Sequence, residues 1–203
     1  MPTVNRRQRK RRQTRDYVAE VAFDLFETHG FEAVTMEQIA SRADVARGTV
    51  YNHFPVKEAV LAHAMHAQLE NDLASLLDGI LRRTGFMAQA ATLLEASATW
   101  WTPRRHYLAP YIRYRFQQFE KAPEADESAG SDMLEAWRAL IAHAQRAGEL
   151  RDDMDAARLA HYLHFLYLSE LMRWLTEPIP SLADGMAGVL EFFHSGAQAR
   201  PRE

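Results

Sequence analysis

Apolar residues recur at three- and four-residue intervals in segment after segment of this chain, and that pattern predicts an all-α fold. Val18, Val21, Ala22, Leu25 and Phe26 form one stripe that predicts a helix from about Thr14 to His29, stopped by Gly30. Met36, Ile39, Ala40 and Ala43 predict a short second helix that begins at Thr35. Gln38 stands three residues after Thr35, so the two can form a capping box that satisfies otherwise free amides. Asp44 falls where the chain must turn sharply, and aspartate tolerates a left-handed conformation better than most residues. A third helix is expected through Tyr51, Asn52 and His53, the three sharing a core of Val21, Leu25, Phe26, Phe31, Ile39, Val45, Val50 and Phe54.

Beyond Pro55 the periodicity predicts a long helix over about Lys57 to Leu81 and another over about Met87 to Trp101. The stretch Ala98 to Phe119 is rich in large rings, and Pro103 and Pro110 divide it into two helices or bend one. Lys121 to Ser131 is acidic and small, a surface loop. Helices follow over about Asp132 to Ala147, Ala156 to Leu175 and Leu182 to Phe193, with Pro178 and Pro180 breaking the chain before the last. The helix from Ala156 is apolar nearly all round, which implies burial on more than one side and hence a partner.

Charge alters the picture at one end. The first 15 residues hold Arg6, Arg7, Arg9, Lys10, Arg11, Arg12 and Arg15 with no acid, although the chain's net charge is -3. Residues 1–15 are read as a disordered basic arm that gains affinity for a polyanion by releasing its counterions. The chain has no cysteine, which excludes disulfides, thiolate metal sites and a cysteine nucleophile. No stretch approaches the roughly 20 apolar residues of a spanning helix, so a soluble, cytoplasmic protein without membrane contact is expected.

Two short helices joined by a tight turn are a geometry by which one helix enters the DNA major groove while the other braces it. The second carries Arg47, Thr49, Tyr51, Asn52 and His53, all able to bond phosphates or base edges. Residues Val18 to Leu61 resemble the DNA-binding domain of TetR-family transcriptional repressors. The resemblance rests on Phe26-x-x-x-Gly30-Phe31, Ile39-Ala40, Gly48-Thr49-Val50-Tyr51, His53-Phe54 and Lys57 to Leu61. It implies phosphate or base contacts for Thr35, Thr49, Tyr51, His53 and Lys57, while side-chain chemistry points to Arg47 and Asn52 as base readers. Three positions depart from the family pattern: Asp44 stands where glycine is usual, and Ala46 and Val56 stand where serine caps are common. The domains expected are the arm (1–15), a helix-turn-helix domain (16–56), and a ligand-binding and dimerisation body (57–198).

Within the body, Trp100, His106, Tyr107, Tyr111, Trp137 and Phe165 are candidates to line a pocket for an amphipathic or aromatic ligand. A homodimer interface is assigned to Leu159, Leu163, Leu166, Met186, Val189 and Phe193, the arrangement the resemblance implies for the last two helices. His63, His66 and Glu70 lie within two turns of one helix, but a solvated or hydrogen-bonded histidine pair is the commoner outcome, and neither metal nor cofactor is assigned. No nucleophile motif or phosphate-binding glycine loop marks an enzyme with a helical aromatic pocket. The expected function is a dimeric repressor that binds an inverted-repeat DNA operator and is released by a small-molecule effector. The alternative is a dimeric DNA-binding protein that responds to no ligand.

Overall fold

The computed structural model describes residues 6–81, 83–119, 132–177 and 181–198. Its regular structure is helical: α1 (Arg6–His29), α2 (Met36–Arg42), α3 (Arg47–His53), α4 (Lys57–Leu81), α5 (Phe86–Trp101), α6 (Arg105–Phe119), α7 (Asp132–Arg146), α8 (Ala156–Thr176) and α9 (Leu182–Ala197). The loop read at Lys121 to Ser131, the break at Pro178 and Pro180, and the side chain of Glu70 lie outside the described residues.

Two compact units emerge, and the division passes through α4 and α6. The first comprises residues 1–69 and 109–122, the second residues 70–108 and 123–203.

In the first unit, α1 begins at Arg6 rather than near Thr14, so residues 6–15 are helical turns and not a disordered arm. Arginine, lysine and glutamine are good helix formers, and an apolar stripe is blind to that propensity. Of the expected stripe, Val18, Ala22 and Phe26 are buried, as are Ile39, Val50 and Phe54, while Val21 and Leu25 are half-buried. The Phe26 and Phe31 rings meet edge to face, 5.1 Å apart, around the corner at Gly30 (φ +82°).

The capping box forms. Thr35 N–H donates to Gln38 Oε1 at 2.8 Å, and Gln38 N–H donates to Thr35 Oγ1 at 3.2 Å. At the other end of α2, Asp44 adopts φ +53°, with Val45 N–H on the Ala40 carbonyl (3.1 Å) and Asp44 N–H on that of Ser41 (3.3 Å). These are the paired bonds of a left-handed helix stop, which glycine usually supplies. Ala46 is the N-cap of α3 and gives it no side-chain hydrogen bond, so the short α3 is set by packing of Val50 and Phe54.

Further along this unit, Asp16 Oδ1 and His63 Nε2 are 2.8 Å apart, and His66 Nε2 lies 3.0 Å from the Tyr111 hydroxyl. Burial, then the charges of Arg115, His63 and Arg15, push the His66 pKa down to about 4. The unfolded chain therefore binds the proton more readily than the folded one below the ordinary histidine value. The stability this contributes should be intact above pH 6.5 and fade as pH falls toward 4. Urea denaturation across that range should show the loss, and His66→Leu should flatten the slope; an unchanged slope in that variant would show that His66 is not its source.

In the second unit, α5, α7, α8 and α9 pack on one another, α8 against both α7 and α9. Pro103 sits in a 3-10 turn between α5 and α6, whereas α6 continues through Pro110. Gly85 (φ +87°) opens α5, and the Glu149 carboxylate accepts the Phe86 N–H at 2.5 Å. Arg151 N–H donates to the Ala197 carbonyl at 2.9 Å, tying the segment before α8 to the end of α9.

Candidate nucleic-acid interface

α3 is seven residues long and is held by one buried side chain, Val50. Arg47, Gly48, Tyr51 and Asn52 are exposed around it, and Thr49 and His53 are half-buried. The helix therefore offers guanidinium, hydroxyl, phenol and amide groups to solvent from a backbone fixed on its other side. The amide of Asn52 has no hydrogen-bond partner among the described residues, which leaves both its donor and its acceptor for a base edge. Thr35 is exposed at the start of α2, and its Oγ1 accepts the Gln38 amide.

Two of the expected contacts are modified by neighbours. The Arg47 guanidinium pairs with the Glu37 carboxylate, and the Tyr51 hydroxyl lies 3.5 Å from the same oxygen. The hydrogen bond from Arg47, then Glu37's own backbone, holds that carboxyl below its usual range. Glu37 thus orients two exposed side chains of α3 from α2, ten and fourteen residues away, and no sequence signal pointed to it. The pair is exposed, so Arg47 can exchange Glu37 for a phosphate or guanine at small cost.

Lys57, expected at a phosphate, is engaged by the chain itself. Its Nζ donates to the carbonyls of Phe31 (2.6 Å), Val34 (2.9 Å) and Glu32 (3.3 Å) and sits 4.4 Å from the centre of the Phe31 ring. An ammonium has three donors, and all three are occupied by the turn between α1 and α2. In this arrangement the ammonium fastens that turn.

A profile of bacterial regulatory proteins of the tetR family matches residues 19–64, which span this surface. Over the longer chain, the HTH-type transcriptional repressor KstR of Mycolicibacterium smegmatis is 30% identical across 171 residues, 81% of this chain and 78% of its own. The chain belongs to the TetR family of transcriptional regulators. The transcriptional regulator MftR of Mycobacterium tuberculosis is 28% identical over 97% of both chains. Among solved structures, FadR of Thermus thermophilus, a TetR-family repressor crystallised with lauroyl-CoA, superposes with a TM-score of 0.77. It shares 23% identity over 93% of this chain and 97% of its own, a likeness of fold. As a TetR-family regulator the protein is a DNA-binding transcription factor and not an enzyme. No described helix is long and apolar enough to cross a membrane.

The second unit of this TetR-family chain separates the expected pocket residues. Tyr107 and Trp137 are fully buried and Trp100 nearly so, whereas His106 and Phe165 are exposed. Tyr111 belongs to the first unit, bonded to His66. Phe165 and His106, expected in a pocket lining, each project from a solvent-facing side of their helix. A buried polar cluster that spacing did not reveal joins α5 to α8, where the Tyr167 hydroxyl is 2.9 Å from both Ser97 Oγ and Trp101 Nε1. The indole N–H of Trp137 is buried with no hydrogen-bond acceptor among the described residues.

The dimer assignments divide by helix face. Leu159, Leu163, Met186 and Phe193 are buried within the subunit's own core, each no more than 5% exposed. Leu166 and Val189 do lie outward, lining a depression of about 480 Å³ between α8 and α9 with Glu170, Arg173, Gly185, Gly188 and Phe192. Around it Tyr162 (53% exposed), Phe165 (45%), Met172 (37%) and Phe192 (70%) leave a broad apolar surface in water. Glu170 is nonetheless buried, paired with Arg173 at 2.9 Å, and a Cβ at Gly185 would stand 1.8 Å from its Oε1. Gly185 is what lets α9 approach that carboxylate.

Proposed function

We propose that the protein is a repressor that binds an inverted-repeat operator as a homodimer and leaves it when a small amphipathic or aromatic effector occupies the body. Residues 16–56 carry the DNA reader, residues 57–198 the effector site and dimer contact. The observation that carries this is the exposed polar side of α3, set on Val50 and flanked by a capped α2. Arg47 and Asn52 read bases, and Thr35, Thr49, Tyr51 and His53 hold the backbone. The outward sides of α8 and α9 pair with their copies across a two-fold axis, which places two α3 helices about one DNA turn apart or a multiple of it.

For the effector, the unmatched Trp137 N–H favours a ligand with a hydrogen-bond acceptor on an apolar frame. A relative in fold, FadR, was crystallised with lauroyl-CoA, a molecule of that general chemistry. One observation favours the ligand-independent alternative: Trp101, Tyr107 and Trp137 are all buried.

Selection from random duplexes, followed by mobility shift, tests the reading. A two-fold symmetric motif should emerge. Asn52→Ala should lower affinity roughly 5- to 100-fold, the cost of one base pairing, and relax preference at a single position in each half-site. Binding without sequence preference would refute the repressor. Challenging the complex with acyl thioesters and aromatic acids, and finding that none releases DNA or alters Trp fluorescence, would favour the ligand-independent protein.

A further inference from the structure

We propose that Arg7, Arg11 and Arg15 form a rigid cationic ridge on the first turns of α1 that follows the phosphate backbone of duplex DNA alongside α3. The inference rests on the reading of α3 as a DNA reader and extends the DNA-facing surface beyond the helix-turn-helix.

Three observations carry it. Residues at i, i+4 and i+8 share one side of a helix, and α1 is helical from Arg6, so these arginines stand in a row. The row continues the stripe that farther along is Val18, Ala22 and Phe26: where the core ends, the same side of the helix turns cationic. Its inner end is fixed to the reader, because the Arg15 guanidinium lies 5.4 Å from the centre of the Phe54 ring, the residue that closes α3.

Electrostatics places Arg11 there as well. The His53 pKa is lowered by burial first and then by the charges of Arg11 and Arg15, which puts both cations near the last residue of α3. Arg12 points elsewhere, toward Asp16 at 3.9 Å. Lys57 is occupied by the turn carbonyls, and residues 16–60 hold eight acids against three cations. The ridge is thus where this unit concentrates the positive charge that a polyanion requires. A disordered arm would supply the same charge as a diffuse cloud; a helix supplies it in register with α3.

The test uses the full chain and a duplex recovered by the wild-type protein from a random pool, made with and without flanking base pairs. Arg7→Gln/Arg11→Gln should bind the flanked duplex roughly tenfold more weakly, with the salt dependence shallower by about one for each phosphate that is no longer neutralised. On the trimmed duplex the difference should shrink, and the base preference should stay that of the wild type. Gln13→Pro keeps every charge but breaks the helix inside the ridge, parting Arg7 and Arg11 from Arg15 and the fixed end at Phe54, and it should reproduce the weakening on the flanked duplex. Normal affinity and salt slope in Arg7→Gln/Arg11→Gln would overturn the ridge while leaving the repressor reading intact. Normal affinity in Gln13→Pro would overturn it in favour of a diffuse arm. A wild-type protein that selects no sequence would instead sink the reading on which the ridge rests.

Discussion

Replacing Phe165 and Phe192 together with glutamate should convert a dimer into monomers and remove operator binding at nanomolar protein. The two rings are 45% and 70% exposed on adjacent helices of the second unit. Burying each against a partner is worth roughly 1.5–3 kcal/mol, and a two-fold axis doubles the count. Glutamates in the same places would put four charges into an interface that excludes water. Because the changed side chains lie outside the core, the monomer should keep its helical signal and melting cooperativity. Sedimentation velocity reads the mass and circular dichroism the fold. A variant that still sediments as the wild type would remove these two helices as the interface. Leu163→Glu is the contrasting control: Leu163 is fully buried, so that change should unfold the second unit and give no information on assembly.

The second large effect is expected at Lys57. Removing its ammonium in Lys57→Ala leaves three carbonyls of the turn between α1 and α2 without their shared donor and strips the cation from the Phe31 ring. Hydrogen bonds to a charged group contribute about 1.5–3 kcal/mol, and a loss of about 2–3 kcal/mol is a large fraction of the stability of a small helical unit. DNA binding should therefore weaken through unfolding. Thermal melting should fall by several degrees, while the salt slope of the remaining binding stays that of the wild type. Unchanged melting together with a shallower salt slope would restore Lys57 to the phosphate backbone.

Lys57 and Phe165 also mark where local pattern stops short of structure. Thr35 and Gln38 were legible because the signal is local: three residues apart, one geometry, two bonds. Asp44 was legible because a stop after Ala43 needs a residue that tolerates positive φ. Lys57 was not, since its acceptors lie 23 to 26 residues earlier and the same cation suits a phosphate or a carbonyl equally well. On α8 the pattern called for burial on more than one side, but periodicity cannot say which side the subunit itself buries. Leu163 and Phe165 look alike in a stripe and part company only once α7 and α9 are in place. The start of α1 was hidden for a different reason: a run of arginines carries no apolar period, however well it forms a helix.

Gly185 has a mechanical consequence. With the Glu170 carboxylate lodged where a Cβ would otherwise stand, and held there by Arg173, sliding α9 along α8 would bring a neighbouring side chain against that carboxylate. Movements that accommodate by shear need smooth, interchangeable side chains between helices. This pair has a peg in a notch instead, so α8 and α9 should travel together as one rigid lever arm, and changes of shape in the second unit must be taken up elsewhere.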